Sequence, residues 1–370
     1  MTNQHTQANG PSPPLRSIYF YPTQSCNLRC IHCWVKPEHV TDKGAYKRAN
    51  RDNISVDLMA SVVEQALDLG LVNIKLTGGE PFVCPEIFDY LDCFSRYGIS
   101  FIIETNATLL TTDKIKRLAN YKVRLLSTSL DGSSARVHDR IRGVAGSFDR
   151  TCKAIEGLVT HGLFPQVIFC LQQANVHDLE ATIQLAQNLG IKSFEINPLA
   201  LAGSRPAADS RCRALSLAQL LALNQRVENV FPAKFPHLQV NFYIPPALKG
   251  IRTIAAYNLN TCALFSICGI LANGDVSLCG IASTRKELVA GNVRDRSLKE
   301  IWENADIFQT IREKIPGRLE GICGRCLFRH HCLGFCRADV LAEDRPITAA
   351  LTMCQEAFEK GLFPETRILD

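Results

Sequence analysis

The feature that most constrains the fold of this chain is a regular alternation of strand-like and helical patterns that begins at Ser17. The helical patterns have recognisable ends: Ser55 is placed to cap one that stops at Gly70, and Asn175 another that stops at Gly190. Six βα units in series predict a parallel sheet flanked by helices, hence an α/β fold with a partial or complete barrel. The predicted strands are 18–21, 72–76, 99–104, 123–130, 166–172 and 191–197.

The alternation stops near residue 200, which predicts a second structural unit. Two short runs, 267–271 and 275–279, flank Asn273–Gly274, and this dipeptide predicts a β-hairpin because a type I′ turn needs positive φ at both central residues. Ser297 predicts the start of a last clear helix that runs to about Lys314. We therefore expect a disordered arm over 1–15, a barrel over 16–240, and a loop-rich, metal-organised domain over 241–370.

Cysteine usage indicates metal chemistry in a reducing compartment. The chain has 16 cysteines in 370 residues, but its first residues have neither the basic nor the apolar region of a signal peptide. No stretch approaches the ~18 apolar residues of a membrane span, and a net charge of +5 gives no argument for nucleic acid. The sequence predicts a cytoplasmic protein whose clustered cysteines are ligands or catalytic thiols rather than disulfides.

Three of these cysteines lie together in the loop after the first predicted strand. Cys26, Cys30 and Cys33 have the spacing C-x3-C-x2-C. Three thiolates can hold a four-iron cluster and leave one iron without a protein ligand, which lets that iron bind a small molecule. A three-cysteine zinc site or chance clustering are the alternatives.

Further candidates follow later strands at the loops where parallel barrels carry their chemistry. Gly78 and Gly79 allow a close approach of the backbone to a ligand, and Glu80 can accept hydrogen bonds from an ammonium group. After the fourth strand, Ser129 and Asp131 are candidates for ribose hydroxyls. Arg142 is a candidate for binding a carboxylate group of a ligand.

These motifs, in this order, resemble the radical S-adenosylmethionine (SAM) superfamily, and the cysteine triad matches its defining motif. The resemblance implies that Cys26, Cys30 and Cys33 hold a four-iron cluster whose open iron chelates SAM, and that Gly78, Gly79 and Glu80 hold the amino group of SAM. It further implies reductive cleavage of SAM to a 5′-deoxyadenosyl radical that removes hydrogen from an unactivated carbon.

A second group of cysteines lies near the C-terminus. A pair of structural zinc sites is one possible explanation of these cysteines. The pattern resembles the SPASM domain, the auxiliary-cluster extension of radical SAM peptide and protein maturases. The resemblance implies three [4Fe-4S] clusters in all, with both auxiliary clusters fully ligated by cysteine. By that pattern the first auxiliary cluster is held by Cys262, Cys268, Cys279 and Cys336, and the second by Cys323, Cys326, Cys332 and Cys354.

The remaining candidates are less specific. Of the five other cysteines, most are expected to be small buried hydrophobic residues, and Cys84, just after Glu80, is the one to check. No catalytic acid or base is assigned; Asp275, Tyr243 and Glu195 are possible.

Three reactions fit the resemblance: modification of a ribosomally made precursor peptide, oxidation of a Ser or Cys to formylglycine as in sulfatase maturases, and modification of a small molecule such as a tetrapyrrole. We favour the peptide reaction, by cross-link formation or backbone excision. The sulfatase type has an acidic base after the third cysteine of the first auxiliary cluster, where this chain has Gly280. An electron carrier or zinc scaffold would have no use for the open triad.

The expected partners are a precursor peptide or protein and a flavodoxin- or ferredoxin-type reductant. If a leader is recognised, we expect it to be bound by the barrel mouth, by the basic loop 36–51 or by a separate recognition protein. No leader-binding module is expected to be fused, because about 16 residues precede the first strand. Neither a nucleic acid nor a membrane is expected as a partner.

Overall fold

The centre of the molecule is a ten-stranded sheet. The computed structural model describes residues 12–35, 37–199, 211–256 and 261–369. The strand order is β12-β11-β10-β1-β4-β5-β6-β7-β8-β9, and every neighbouring pair from β10 to β9 is parallel. The strands are β1 (Ser17–Phe20), β2 (Ser25–Cys26), β3 (Glu38–His39), β4 (Asn73–Leu76), β5 (Ser100–Thr105), β6 (Val123–Ser129), β7 (Gln166–Leu171), β8 (Ser193–Pro198), β9 (Gln239–Phe242), β10 (Ile267–Ile270), β11 (Asp275–Ser277) and β12 (Gly291–Asn292).

The predicted α/β fold with a parallel sheet is confirmed. The six predicted strands correspond to β1 and to β4 through β8, with ends that differ by one or two residues. The basic segment 36–51, predicted as a loop, instead contains β3 and the first helix. Strand β3 pairs with β2 in a separate two-stranded sheet, with Cys26 opposite His39.

Helices cover the sheet and make up much of the C-terminal part. They are α1 (Lys43–Ala49), α2 (Val56–Asp68), α3 (Ile87–Ser95), α4 (Thr112–Leu118), α5 (Ala135–Arg142), α6 (Ser147–Thr160), α7 (Leu179–Asn188), α8 (Leu217–Asn229), α9 (Phe231–Lys234), α10 (Ile251–Ala256), α11 (Leu298–Asn304), α12 (Asp306–Lys314), α13 (Gly321–Gly324), α14 (Arg329–Cys332), α15 (Arg337–Ala342) and α16 (Thr352–Glu359). Short 3₁₀ turns lie at Pro81–Val83, Val176–Asp178, Pro246–Leu248, Gly280–Ser283, Lys286–Leu288 and Glu365–Arg367.

Helix ends follow local capping chemistry. The Ser55 hydroxyl accepts the Leu58 N–H at the start of α2, as its sequence position predicts. The predicted helix from Ser297 to Lys314 is two helices, because Ala305 is extended (φ −71°, ψ 136°) and separates α11 from α12. Four helices follow these two in the described residues, so the C-terminal part is more helical than its sequence indicated.

The predicted hairpin is present, and it extends the barrel sheet. Gly274 has φ +93° in the turn, but Asn273 does not have positive φ, so the turn is not of the predicted type I′. Strand β10 pairs antiparallel with β11 on one side and parallel with β1 on the other. The sheet therefore contains strands from both sides of the predicted domain boundary at 240/241. The boundary itself stays a prediction.

Two apolar clusters make up most of the core. One lies around α2, α3, α11 and the adjoining faces of β1, β4, β5 and β10. The other lies around β7, β8, β9 and the C-terminal helices. Most of the predicted N-terminal arm, residues 1–11, lies outside the described residues; within the rest of it, Leu15 is fully buried and the Pro13 carbonyl accepts the Trp302 indole N–H at 3.0 Å. Across the described residues, every helix is too short or too polar to span a lipid bilayer.

Candidate functional site

The three cysteines of the first motif lie side by side after β1. Cys26 ends β2, and the turn that follows carries Cys30 and Cys33; the three pack together with Leu28 and Val144. Burial raises the pKa of the Cys26 and Cys30 thiols, and the Cys26 sulfur accepts the Leu28 N–H at 3.3 Å. Three neighbouring thiols, two of them buried and Cys33 half-buried, are a donor set suited to an iron–sulfur cluster, whose metal would hold them as thiolates.

Nowhere in the described ranges do three His, Cys, Asp or Glu side chains converge as they would on a single metal ion. A four-iron cluster is larger than one ion, and its cysteine ligands are correspondingly farther apart.

Gly78 and Gly79 allow the loop that carries the cysteine triad to pass directly over them. Gly79 N donates to the Thr23 carbonyl at 3.1 Å, and Glu80 N donates to the Ser25 carbonyl at 2.9 Å. A Cβ on Gly79 would lie 2.1 Å from Ser25 O, and one on Gly78, where φ is +125°, would lie 2.7 Å from Thr23 O. These glycines are needed first of all to hold the cysteine loop in place.

Glu80 is buried and connects the loops after β4 and β5. Its carboxylate accepts from Thr105 Oγ1 at 2.7 Å, from Asn106 N at 2.8 Å and from Phe82 N at 3.1 Å. Burial raises the pKa of Glu80, and these hydrogen bonds act against that rise. Sequence reasoning missed Thr105 and Asn106, although a polar pair at the end of a buried strand was a usable signal.

Asn106 also contacts the cysteine loop. Its Nδ2 lies 3.0 Å from Asn27 Oδ1 and 3.9 Å from Cys26 Sγ. The segment Gly78–Glu80 and Asn106 thus form one polar support beneath the cysteine triad. The predicted contact of Gly78, Gly79 and Glu80 with an amino group stays a prediction.

Arg142 and Asp131 form a buried ion pair beside Cys30. Arg142 Nη2 lies 2.8 Å from Asp131 Oδ2, and its Nη1 lies 3.7 Å from Cys30 Sγ. The other Asp131 oxygen accepts Cys170 N–H at 2.8 Å, and the residue has no exposed surface. These contacts give no support to Asp131 as a ribose ligand or to Arg142 as a carboxylate ligand, because each side chain neutralises the other. Ser129 is half-buried at the end of β6, and its contact with a ribose hydroxyl stays a prediction.

The end of α5 also pairs with the cysteine loop through its backbone. Arg29 N donates to Arg142 O and Ile31 N to Ile141 O, both at 3.0 Å. Gly143, at φ +73°, ends the helix where a Cβ would lie 2.4 Å from Arg29 O. The loop is therefore held on one side by Gly78–Glu80 and on the other by α5.

Four C-terminal cysteines lie around one small cavity. The cavity has a volume of about 10 Å³ and is lined by Cys323, Cys326, Cys332 and Cys354. Backbone N–H groups donate to two of the sulfurs, from Leu351 to Cys323 at 3.4 Å and from Phe328 to Cys326 at 3.4 Å. A hydrogen bond from the Cys354 thiol lowers the pKa of Cys323. This donor set fits the predicted second auxiliary cluster.

The predicted first auxiliary set is brought together only in part. Burial and the neighbouring thiol of Cys279 raise the pKa of Cys262 to about 12. The pKa of Cys336 is likewise raised, first by burial and by Asp339, and then by the nearby thiols of Cys279 and Cys262. The fourth predicted ligand, Cys268, lies in the apolar core around α2 and α3, and its role as a ligand stays a prediction.

Arg337 lies buried between the two cysteine groups. Its guanidinium donates to Ile347 O at 2.9 Å, to Ala349 O at 2.7 Å and to Gly334 O. Burial lowers its pKa, and nearby thiols from both groups act against that decrease. No sequence pattern singled out this cation, which lies where two iron–sulfur clusters would add negative charge.

An apolar cavity of about 310 Å³ adjoins Cys336. It lies where the ends of β7 and β8 face the C-terminal helices, and Tyr243 and Phe335 form part of its wall, with ring centroids 4.6 Å apart. Its charged lining residues are all acidic: Asp339, Glu343 and Glu356. A cavity of this size with few polar groups has the character of a small-ligand or side-chain binding site.

The three acid–base candidates occupy different places. Tyr243 lines the 310 Å³ cavity, and burial, with Cys336, raises its pKa. Glu195 lines a neighbouring cavity of about 90 Å³, where burial and then Glu104 raise its pKa. Asp275 bonds Asn273 and Asn292 in the hairpin, which makes it a turn residue.

A charged group inside the barrel was not foreseen from the sequence. Lys75 Nζ lies 2.5 Å from Glu104 Oε1 and 4.7 Å from the ring centroid of Tyr19. Burial raises the pKa of Cys262 and Cys279, and the charge of Lys75 acts against that rise. The alternation of side chains in β4 was the available signal, since a lysine in a buried strand must face a polar interior.

Comparison with known proteins decides the family. The radical SAM superfamily model matches residues 20–186, and the SPASM iron-sulfur cluster-binding domain model matches residues 262–327. The chain belongs to the radical SAM superfamily. It is therefore a radical SAM enzyme with a SPASM domain, and the two domains together imply iron–sulfur clusters and SAM binding.

Relatives of this radical SAM enzyme carry more than one activity. It is 28% identical over 338 residues to the AdoMet-dependent heme synthase of Methanosarcina barkeri, which covers 88% of this chain and 92% of that protein. It is 27% identical over 358 residues to the mycofactocin maturase MftC of Mycobacterium tuberculosis, covering 94% and 84%.

The solved structure of Streptococcus suis SuiB bound to precursor peptide SuiA matches with a TM-score of 0.71 and 20% identity, covering 93% of this chain and 76% of that one. This likeness shows the shared fold.

Proposed function

We propose that this radical SAM enzyme modifies a ribosomally made precursor peptide, by cross-link formation or by excision of a backbone fragment. The observation that carries the proposal is the 310 Å³ cavity beside Cys336. Its wall includes six leucines together with Tyr243 and Phe335, which suits an amino-acid side chain.

The charge of the cavity selects among substrates. Its lining within the described residues includes three carboxylates and no Lys, Arg or His. Binding an anionic substrate there would bring like charges together in a poorly solvated space. A neutral or basic peptide segment suits this lining better than a tetrapyrrole with carboxylate side chains.

The proposed cofactors are SAM and three [4Fe-4S] clusters, which supply the 5′-deoxyadenosyl radical and the electrons. Cys26, Cys30 and Cys33 would hold the cluster that binds SAM, while Gly78–Glu80 and Asn106 keep that loop in position. Ser129 would hydrogen-bond a ribose hydroxyl. A low-potential flavodoxin or ferredoxin is the proposed reductant, and contact of an acidic leader with the segment 36–51 stays a prediction.

Two alternative reactions are supported to different degrees. Action on a tetrapyrrole is the second candidate, because the heme synthase of M. barkeri is 28% identical over nearly its whole length. The formylglycine reaction is disfavoured by Gly280, where a Cβ would lie 2.2 Å from the Tyr21 hydroxyl oxygen and 2.8 Å from the Trp34 ring. An acidic side chain does not fit at that position.

The proposal is tested by co-expressing the enzyme anaerobically with each short peptide encoded beside its gene and measuring intact peptide masses. We expect a mass loss with the wild type and none with Cys26→Ala/Cys30→Ala/Cys33→Ala. Loss of a hydrogen pair would indicate a cross-link, and a larger loss an excision. Unchanged masses and unchanged residue stereochemistry in every peptide would contradict the proposal.

The role of the cavity is tested separately with a charge reversal. Glu356→Lys changes a cavity residue on α16, and Glu359→Lys changes an exposed residue on the same helix that is outside the cavity lining. We expect Glu356→Lys to slow modification of a neutral or basic peptide at least tenfold and Glu359→Lys to leave it unchanged. Equal rates in the two variants would exclude this cavity as the peptide site.

A further inference from the structure

We propose that the surface above Cys326 is the docking site of an acidic one-electron carrier protein. The carrier loses one electron there to the second auxiliary cluster, and no bond is formed or broken. We define the C-terminal patch by its side chains, which are Arg325, Leu327, Arg329, Phe358, Leu362 and Arg367. The proposal rests on the proposed reductant and on the second auxiliary cluster, and it is independent of which substrate the enzyme modifies.

The C-terminal patch lies directly over the cysteines of the 10 Å³ cavity. Arg329 and Phe363 line that cavity together with the four cysteines. The residue before Phe363 is Leu362, which is exposed. Cys326 is buried, but the residues before and after it are both exposed. At both places a single step along the chain leads from the cysteine cavity to the surface.

The end of the chain holds this surface in place. Cys326 forms an isolated antiparallel bridge with Ile368. Next to it, Leu327 N donates to Arg367 O at 2.8 Å. The guanidinium carbon of Arg367 lies 5.4 Å from the ring centroid of Phe328. Because these contacts already fix the patch, a partner would meet a preformed surface and would order little of it on binding.

The apolar part of the patch is large enough to contact another protein. Leu327 is 49% exposed, Phe358 37% and Leu362 45%. The guanidinium carbon of Arg325 lies 5.8 Å from the ring centroid of Phe358, so the end of α16 adjoins the chain beside Cys326. Exposed apolar side chains that lie together gain free energy when a second surface covers them. This grouping favours a protein partner over a small ion.

The charged part of the patch is basic. Its cations are Arg325, Arg329 and Arg367. In the part of the chain that the structure describes, none of the three forms an ion pair with a carboxylate. Glu359 and Glu365 are exposed in the adjoining segments, whereas the sequence from 321 to 338 has no Asp or Glu. The positive charge over the cysteines therefore complements an acidic partner surface and would speed its encounter with the patch.

An electron carrier is the acidic partner that suits the group beneath the patch. Electron transfer slows steeply as the distance between two redox centres grows, so a carrier must dock close to the centre that it reduces. A protein bound to Arg325 and Leu327 would lie next to Cys326. A bound peptide would make no use of the cysteines beneath the same surface.

Docking is tested by titrating the iron-loaded enzyme with an acidic, FMN-containing flavodoxin and measuring the dissociation constant by calorimetry. We expect Arg325→Glu and Leu327→Ser each to raise the dissociation constant about tenfold. Two matched controls should leave it unchanged. Arg124→Glu reverses an exposed charge on β6, and Val72→Ser shortens an apolar side chain that is also 49% exposed.

Iron analysis accompanies the titration, because a change beside Cys326 could release a cluster. Each variant should retain about 12 iron atoms per chain. Leu362→Ser is the second test of the apolar part, since it leaves the segment 323–336 unchanged, and it should also weaken binding about tenfold.

Three results would overturn the proposal. One is binding that Arg140→Glu weakens and Arg325→Glu does not, because Arg140 is exposed on α5 beside the cysteine triad and the carrier would then dock there. Another is binding that no variant of the patch alters. The third is no binding to the wild type at low ionic strength, where the attraction between opposite charges is strongest.

The route of the electron is tested in Cys26→Ala/Cys30→Ala/Cys33→Ala, which lacks the SAM cluster. We expect this variant to oxidise reduced flavodoxin as fast as the wild type, measured by flavin absorbance in stopped flow. Adding Arg325→Glu should slow the reaction about tenfold. Oxidation that requires the intact triad would contradict entry through the patch. No peptide takes part in these measurements, so the docking proposal and the peptide proposal fail or succeed separately.

Discussion

Arg142 and Asp131 are joined by a 2.8 Å contact, and Cys30 lies on the other side of the same guanidinium. Both partners are buried, with Asp131 fully enclosed. The arrangement ties the loop that carries the cysteine triad to the end of β6. A cation held at this place also offsets the negative charge that a thiolate at Cys30 would bring.

Removing one partner of this pair should be strongly destabilising. Asp131→Asn leaves the Arg142 guanidinium buried without its counter-ion, and we expect a loss of about 3 kcal/mol in the free energy of unfolding. Thermal unfolding under anaerobic conditions measures it. As a control, Glu300→Gln breaks the exposed pair with Arg296 and should cost less than about 1 kcal/mol. Equal losses in both variants would show that the buried pair is not structural.

Gly79→Ala should release the SAM-binding cluster while sparing the auxiliary ones. The added methyl group would lie 2.1 Å from Ser25 O, so the cysteine loop must move. We expect iron content to fall by about four atoms per chain. Gly317→Ala, where nothing lies within 4 Å of the new Cβ, is the matched control and should keep all its iron. Full iron content in Gly79→Ala would contradict the proposed support of the loop.

Arg337→Met should shift the reduction potentials of the auxiliary clusters to more negative values. Reduction adds negative charge beside a buried cation, and without that cation the shift should be on the order of tens of millivolts. Potentiometric titration followed by electron paramagnetic resonance measures it. Arg337→Lys keeps the charge and should restore most of the potential, while exposed Arg318→Met should change nothing. Identical potentials in the Met and Lys variants would exclude an electrostatic role.

Acid should destabilise the fold through His138. Its Nδ1 accepts the Asp131 N–H at 3.2 Å, and burial, with Arg142, lowers the pKa of His138 to about 4. Between pH 6.5 and 4 the unfolded chain therefore binds a proton that the folded chain does not, so the free energy of unfolding falls as the pH falls. We expect a decrease of about 2 kcal/mol between pH 7 and pH 5.

The variant His138→Gln isolates this contribution, because glutamine keeps an acceptor for Asp131 N–H but does not titrate. Its stability should decrease less over the same pH range than that of the wild type. Parallel pH profiles for the two proteins would assign the acid sensitivity to other groups.

Local patterns were sufficient for the barrel strands. Runs such as 100–105 alternate buried and half-buried residues, and glycines such as Gly70 end the helices, so both the elements and their order could be predicted. The grouping of Cys323, Cys326, Cys332 and Cys354 was also predictable, because their close spacing in sequence matches a family pattern.

What could not be predicted depends on pairing between distant segments. The spacing of Cys268 relative to Cys262 is compatible with a ligand, but only the register with Ile18 reveals which face its side chain takes. Arg142 and Asp131 each suited a ligand contact until tertiary packing paired them with each other. Glu80 likewise has its hydrogen-bond partners on another loop, which sequence proximity does not indicate.

The pairing of β1 with β10 has a consequence for how the protein matures in the cell. While a ribosome is still translating the barrel, the strand that leads into Cys26 has a neighbour only on its β4 side. The backbone groups on the other edge of β1 gain their hydrogen-bond partners when β10, which begins at Ile267, emerges late in synthesis. The machinery that delivers iron and sulfide to the first loop therefore meets a β1 strand paired on both sides only after the segment from Ile267 has emerged.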